Sequence, residues 1–119
     1  MRQHRLSRSA ETDIDEILAW SLANFGEPAR LRYAAVIAAG IRDVSEDPER
    51  VGAKSRPELG SGVFAWHLRL SRDKSKAGLV HEPRHFLVYR FDENLVTIGR
   101  LLYDAMDLAR QTDPETTWE

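Results

Sequence analysis

The sequence contains no cysteine, an absence that excludes disulfide bonds and thiolate metal sites and is typical of a reducing compartment. It also lacks any run of about 18 apolar residues, the length that a membrane-spanning helix requires. The first five residues are basic, but no apolar segment follows them, so the pattern of a secretory signal is missing. These absences predict a cytoplasmic chain that makes no contact with a membrane.

A large net charge is missing as well, since 17 Lys and Arg residues stand against 19 Asp and Glu residues. The near-neutral total argues against general coating of nucleic acid, and we expect no sequence-specific binding of nucleic acid by the chain alone. The charges are nevertheless uneven: residues 66–90 are rich in Lys, Arg and His, whereas the segment after Tyr103 is acidic. A basic stretch of this kind is usually a solvated loop, although it also permits contact with an acidic partner or with RNA.

The first half of the chain has helical periodicity, in a sequence whose 119 residues suit one domain. A short strand is predicted over residues 4–7, with Ser7 as the N-cap of a helix over residues 8–25. Gly26 can adopt the positive φ that ends a helix, and Pro28 favours the start of a second one, so the two helices form a hairpin. The apolar stripe of the first helix consists of Ala10, Ile14, Ile17, Leu18, Ser21, Leu22 and Phe25.

The second half has the two-residue alternation of strands. Residues 63–71 alternate, which predicts a half-buried antiparallel strand whose His67 and Arg69 point together away from the apolar face. Residues 84–91 and 95–103 predict two more strands joined by a tight turn.

Less regular segments surround these strands. Residues 72–83 predict a long loop, residues 104–110 a short helix, and residues 111–119 a frayed acidic tail. The whole order predicts an α+β fold of the form β-α-α-β-β-β(-α), in which an N-terminal helical hairpin packs on an antiparallel sheet.

Several short motifs follow one another in a fixed order. Arg5-Leu6-Ser7 precedes a helix that carries Asp13-Ile14-x-x-Ile17 and ends at Phe25-Gly26, and the last strand ends in Arg100 and Tyr103-Asp104-x-Met106-Asp107. Together they resemble the RelE/ParE superfamily of toxins from type II toxin–antitoxin systems, closest to ParE, over residues 4–110. The resemblance implies one toxin domain in residues 1–110, followed by the tail in residues 111–119, with the first strand at the sheet edge.

The resemblance to ParE implies a toxin that acts by binding and catalyses no reaction. It implies inhibition of bacterial DNA gyrase, with cleaved DNA held in the complex, and neutralisation by a ParD-like antitoxin in a hetero-oligomer. Where the family commonly has Arg-x-Leu-His, this chain has Arg100-Leu101-Leu102-Tyr103, and its loop over residues 72–83 is longer. The candidates for target binding are Arg100, Tyr103, Met106, Asp107, Arg69 and Arg84.

An alternative is a RelE-like, ribosome-dependent mRNA endonuclease, which needs cations for the phosphate and a nearby acid or base. Its catalytic residues would be Arg100, Tyr103, His67 and Arg69. Arg100, however, shares a mostly apolar face with Val96 and Ile98, where an ion pair is the commoner role, with Asp104 or Asp107 as the local partner. A third possibility is a non-toxic relic that retains only partner binding.

The helical hairpin is the predicted antitoxin surface. Trp20 and Leu31 lie off the apolar stripes of their helices, and Tyr33 and Ala34 flank the hairpin, so we expect these four residues to contact the antitoxin. For Trp20, packing against the neighbouring helix is the competing interpretation.

No metal site or cofactor is expected. His81 and His85 are four residues apart, but Pro83 lies between them and prevents the helix that such a ligand pair requires. The acidic residues Asp13, Asp15 and Glu16 are explained by the favourable position of negative charge near a helix start.

Overall fold

A computed structural model describes residues 1–74, 80 and 82–119, without the side chains of residues 73 and 74. In chain order the elements are β1 (Gln3–Leu6), α1 (Arg8–Phe25), α2 (Glu27–Glu46), β2 (Lys54–Ser55), β3 (Phe64–His67), β4 (His85–Phe91), β5 (Leu95–Tyr103) and α3 (Leu108–Gln111). Two 3-10 helices cover Pro57–Leu59 and Leu68–Lys74. This order confirms the predicted α+β fold with an N-terminal helical hairpin. None of the helices in these described ranges is long and apolar enough to cross a membrane.

The sheet has five strands in the order β1-β5-β4-β3-β2. β1 lies at one edge, as predicted, and pairs parallel with β5, whereas the other neighbours are antiparallel. The sheet is therefore mixed, and the two-residue β2 adds a strand that sequence alternation cannot reveal at that length. Lys76, His81 and the middle of the 72–83 loop lie outside the described residues.

The helical hairpin begins at Ser7 and turns at Gly26, the two residues that the sequence identifies for these roles. The Ser7 hydroxyl accepts a hydrogen bond from the Ala10 N–H at 3.0 Å, and Gly26 has a φ of 88° between α1 and α2. Both predictions are confirmed. The Ser7 hydroxyl also donates to the Gly99 carbonyl oxygen at 2.7 Å, which fixes the start of α1 against β5.

Two apolar clusters lie on opposite faces of the sheet. The front cluster packs beneath the hairpin and contains Ala10, Val36, Ile37, Ile41, Val44, Trp66, Leu68, Leu87, Tyr89, Val96, Ile98 and Leu101. The back cluster contains Leu59, Val63, Val88, Leu102 and Leu108, with Phe86 and Trp118 packed against it. Both faces of the sheet are therefore covered, one by the helical hairpin and the other by a 3-10 helix, α3 and the C-terminal segment.

The predicted strand over residues 63–71 is wrong in its second half, because β3 ends at His67. Leu68 is fully buried so close to Gly40 that a Cβ built on the glycine would lie 2.6 Å from Leu68 Cδ2. Ser71 is also buried; it accepts a hydrogen bond from Trp66 Nε1 at 2.9 Å and donates to Asp43 at 2.6 Å. These contacts turn the chain into a 3-10 helix, so Arg69 does not share a strand face with His67.

The predicted frayed tail is also wrong, because residues 112–119 pack on the back of the sheet. Thr117 is fully buried, Trp118 packs against the back cluster, and the Arg5 guanidinium donates to the Trp118 carbonyl oxygen at 3.1 Å. The acidic composition of the segment concealed the two residues that dock. The short helix α3 begins only at Leu108, later than the predicted start at residue 104.

Candidate functional site

The candidate site is a corner formed where β4 begins and β5 ends. His85 pairs with Tyr103 across these strands, and the Asp104 N–H donates to the Arg84 carbonyl oxygen at 2.8 Å. We call Arg84, His85, Tyr103 and Asp104, together with His67 from the end of β3, the corner. Three strands therefore deliver its side chains to one place.

Asp104 is the centre of the corner. Its carboxylate accepts hydrogen bonds from His67 Nε2 at 2.8 Å and from Arg84 Nε at 3.0 Å. The hydrogen bond from Arg84, together with the one from His67, lowers the pKa of Asp104. Asp104 therefore remains ionised and ties the two strand ends together. The prediction that Asp104 or Asp107 pairs with Arg100 is wrong, because Arg100 pairs with Asp13 instead.

His67 has no free ring nitrogen. The Arg69 N–H donates to His67 Nδ1 at 3.1 Å, so Nδ1 is an acceptor and the ring proton lies on Nε2, facing Asp104. Only 5% of His67 is exposed, and its ring packs edge-on against Phe86. The expectation that His67 points out of the sheet with Arg69 is wrong, although Arg69 itself is exposed on the 3-10 helix.

Tyr103 and Arg84 form the exposed part of the corner. The Arg84 guanidinium lies over the Tyr103 ring at 5.1 Å from its centroid, and 39% of Tyr103 is exposed. The His85 ring packs edge-on against the Tyr103 ring, with 5.8 Å between the two centroids. A flat cation–aromatic surface of this type suits recognition of a partly polar partner.

Tyr33 reaches the corner from α2. Its hydroxyl lies 2.6 Å from His85 Nδ1 and accepts the Arg84 N–H at 3.1 Å. Burial raises the pKa of Tyr33 to about 12 and lowers the pKa of His85 to about 4, so both groups are neutral near pH 7 and the hydroxyl donates to Nδ1. Tyr33 and Ala34 are both partly buried, and their contact with an antitoxin stays a prediction.

Arg100 lies away from this cluster, at the edge of β5 beyond the end of β1. It forms a bidentate ion pair with Asp13, with Nε to Oδ2 at 2.7 Å and Nη2 to Oδ1 at 3.0 Å. Asp13 also accepts the Leu101 N–H at 2.9 Å, and Arg100 donates to the Gln111 carbonyl oxygen. Asp13 is thus a cap on an open strand edge, which corrects its interpretation as acidity near a helix start.

A β-bulge explains why the predicted face of Arg100 is wrong. Val88 pairs with Arg100 but the next residue, Tyr89, pairs with Ile98, so Gly99 has no partner in the ladder. The extra residue reverses the alternation, and Arg100 leaves the face that Val96 and Ile98 occupy.

The last two target-binding candidates follow the strand. Met106 is about half exposed. Asp107 is the N-cap of α3, where its carboxylate accepts the Ala109 N–H at 3.1 Å.

A second candidate surface lies at the tip of the hairpin. Trp20 is 60% exposed and Phe25 68% exposed, and their rings pack edge to face at 5.5 Å. Leu22 of α1 and Leu31 of α2 are near them in the sequence, and each is about half exposed. We call these four residues the hairpin-tip patch. Trp20 packs mainly on Phe25 of its own helix, and the prediction that Leu22 and Phe25 belong to the buried stripe is wrong.

The model of the ParE toxin of the type II toxin–antitoxin system parDE matches residues 5–108. The chain belongs to the ParE toxin family. A solved structure titled "Chromosomal ParDE TA system from P. aeruginosa" has the same fold, with a TM-score of 0.62 at 17% sequence identity, covering 87% of this chain and 96% of that chain. No curated protein sequence matches the chain. The ParE assignment confirms the resemblance that the ordered motifs indicate.

The ParE match includes both the corner and the hairpin-tip patch, and it ends at Leu108, before the segment that covers the back of the sheet. Within the corner of this ParE chain, His67 and Asp104 are hydrogen-bonded to each other, and Arg100 is held by Asp13 outside it. Arg69 and Tyr103 are the nuclease candidates whose side chains remain exposed. The arrangement offers a binding surface with a buried ionic support.

Proposed function

We propose that this ParE family toxin acts by binding bacterial DNA gyrase, which it inhibits, and that a ParD-like antitoxin neutralises it. The observation that carries the proposal is the family match over residues 5–108, since that range spans both exposed surfaces. A gyrase target also places the toxin in the cytoplasm. The solved neighbour is itself titled a ParDE system, which supports an antitoxin as the partner class.

The hydrogen bonds and ion pairs that already occupy the polar groups of His67 and Arg100 support a toxin that is not an enzyme. A nuclease needs an acid or base that can exchange a proton with its substrate. Both ring nitrogens of His67 are occupied, and the charge of Arg100 is neutralised by Asp13. A RelE-like nuclease would therefore have to use Tyr103 and Arg69. The four nuclease candidates would offer it no free base beside these two residues.

The target-binding surface in this proposal is the cation–aromatic pair of Arg84 and Tyr103. Arg69 and Met106 extend it, since both are exposed. Asp107 and Arg100 contribute indirectly, because one caps α3 and the other fixes the edge of β5. A rigid aromatic with a guanidinium beside it has the composition of an interface hot spot.

The antitoxin surface in this proposal is the hairpin-tip patch. Trp20 and Leu31 are the predicted contacts, and Leu22 and Phe25 are further exposed apolar residues of the same patch. Exposed apolar side chains of this kind suit the apolar face of a partner segment that folds as it binds. Tyr33 and Ala34 would lie at the margin of this contact, because both are partly buried.

Expression of the chain alone in bacteria tests the target assignment. We expect growth arrest with DNA damage signalling, because a poisoned gyrase holds broken DNA. Tyr103→Ala should abolish the arrest, whereas Tyr103→Phe, which keeps the ring beneath Arg84, should retain it. Arg110→Ala is the control, since the Arg110 side chain is 83% exposed and should not matter. Arrest accompanied by transcript cleavage and no DNA damage would exclude the gyrase proposal.

A further inference from the structure

Residues 112–119 form a separate structural unit on the back of the sheet, which we call the strap. It contributes no strand to the described five-stranded sheet. It holds its own turn instead, with the Thr117 N–H donating to the Asp113 carbonyl oxygen at 2.9 Å and the Glu119 N–H to the Thr116 carbonyl oxygen at 3.3 Å. Residues 113–116 are exposed, so the strap touches the rest of the molecule at few points.

The main point of contact is the Trp118 ring. Gly99 lies beneath it so closely that a Cβ there would be 2.6 Å from Trp118 Cζ3 and 2.7 Å from Thr117 Cγ2. The Arg90 guanidinium lies over the ring at 4.5 Å from its centroid. We call this place, formed by Gly99, Arg90 and the adjoining back cluster, the Trp118 site. It is a shaped site, because the bulged glycine leaves the space that the ring and Thr117 fill.

The remaining contacts join the strap to β1 and α1. Arg5 donates to the carbonyl oxygens of Trp118 and Glu119, and the Ser9 hydroxyl donates to the Thr116 carbonyl oxygen at 3.3 Å. Both guanidinium groups at the site, those of Arg5 and Arg90, thus meet a segment whose charged residues are Asp113, Glu115 and Glu119. The guanidinium groups themselves contact the Trp118 ring and backbone oxygens, and the acidic side chains of the strap are exposed beside them.

We propose that the Trp118 site is a docking surface for an acidic, tryptophan-bearing segment of a partner protein, and that the strap is its tethered competitor. The chemistry of the partner segment follows from the contacts that the strap makes. Its indole ring lies over Gly99 and beside the Arg90 guanidinium, and its carbonyl oxygens accept hydrogen bonds from Arg5. This inference does not rest on gyrase or antitoxin binding, since both of those are assigned to other surfaces.

Because the strap is tethered to the site, it determines the affinity that a partner needs in order to displace it. A short tether holds a segment at an effective concentration on the order of millimolar, so a free peptide with the same contacts competes only near that concentration. A partner that displaces the strap must therefore add contacts beyond those of the octapeptide. Removal of the Trp118 ring should weaken the hold of the strap and leave the position of the ring over Gly99 vacant for an added peptide.

Peptide binding to full-length variants tests the proposal. The probe is a capped, fluorescently labelled copy of residues 112–119, measured by anisotropy. We expect it to bind Trp118→Ala at least roughly tenfold more tightly than the unchanged chain, because the strap occupies the site in most molecules of the latter. Gly99→Ala added to Trp118→Ala should abolish binding, since the new methyl fills the space of the ring; Gly99 has no positive φ, so its backbone tolerates alanine.

Controls for charge and for composition accompany the probe. Replacement of its Asp and Glu residues by Asn and Gln, or addition of salt, should weaken binding to Trp118→Ala, and a probe with Ala in place of Trp should not bind. Equal affinity for the unchanged chain and Trp118→Ala, retained binding to the double variant, or no binding to a folded Trp118→Ala at millimolar probe would overturn the proposal.

Fluorine NMR of the unchanged chain tests the same proposal if Trp118→Ala does not fold. With 5-fluorotryptophan in place of tryptophan, millimolar unlabelled peptide should move the Trp118 signal toward its exposed position and leave the buried Trp66 signal unchanged. A Trp118 signal that never moves, or that moves only together with Trp66, would overturn it. So would a shift that follows protein concentration without peptide, because the site would then accept the strap of a second copy.

Discussion

At the scale of single residues, two carboxylates hold the C-terminal end of β5. Asp104 joins His67 to Arg84, and Asp13 binds Arg100 together with the Leu101 N–H. Both sets connect residues far apart in the chain, so no spacing in the sequence indicates them. Local signals behaved differently: the cap at Ser7 depends on the next few residues only, and it could be predicted.

Loss of the Asp13 carboxylate should destabilise the fold. Asp13→Ala leaves the Arg100 charge and the Leu101 N–H without their acceptor in a mostly buried position, so we expect a loss of about 2 to 4 kcal/mol in the free energy of unfolding. Asp15→Ala, at an exposed position of the same helix, should change it by less than about 0.5 kcal/mol. Urea denaturation measures both, and equal effects would contradict the assigned role of Asp13.

Acidification should destabilise the protein through His85. Burial lowers the pKa of this histidine from 6.5 to about 4, so the unfolded chain binds a proton in this interval that the folded chain does not. Stability is therefore lost as the pH falls from 6.5 toward 4. His85→Asn keeps an acceptor for the Tyr33 hydroxyl but cannot titrate, so the pH dependence of its urea midpoint should be flatter over this interval.

His4→Asn is the matched control, since His4 is exposed on β1. Its stability should vary with pH as that of the unchanged chain does. An equally steep dependence in His85→Asn would show that other groups cause it.

At the scale of elements, α1 and the hairpin turn were predictable because their signals are periodic and local. The end of β3 was not, because Leu68 and Ser71 are buried through contacts with α2 that alternation does not encode. The exposed end of α1 was missed for a related reason: periodicity defines a face of a helix but not how much of that face the sheet covers. Leu22 and Phe25 therefore belong to the hairpin-tip patch.

The hairpin-tip patch should determine antitoxin affinity. Trp20→Ser and Leu31→Ser should each weaken binding of the co-encoded antitoxin by tenfold or more, on the order of 1.4 kcal/mol, because each removes apolar area from the contact. Calorimetric titration gives the affinities. Val51→Ser is the control, as an almost fully exposed apolar residue away from the patch in sequence. Unchanged affinity in both patch variants would place the antitoxin elsewhere.

At the scale of the whole molecule, the fold supports three surfaces around one sheet. The hairpin-tip patch and the corner lie within the ParE family match, whereas the strap follows it. The sequence could predict the fold from ordered motifs, and it named His67, Arg84 and Tyr103 as separate candidates without bringing them together. It could not predict the surroundings of Arg100 and Trp118, because the β-bulge at Gly99 changes the face of Arg100 and creates the space for the Trp118 ring. The account proposed from these placements is that the toxin binds its target without catalysis.

The most direct test of that account is a cleavage assay with purified toxin, gyrase and supercoiled plasmid. We predict that linear, gyrase-linked plasmid accumulates as toxin is added and that Tyr103→Ala prevents it, while messenger RNA in a translating extract remains intact. Unchanged gyrase activity together with ribosome-dependent cleavage of the messenger RNA would contradict it.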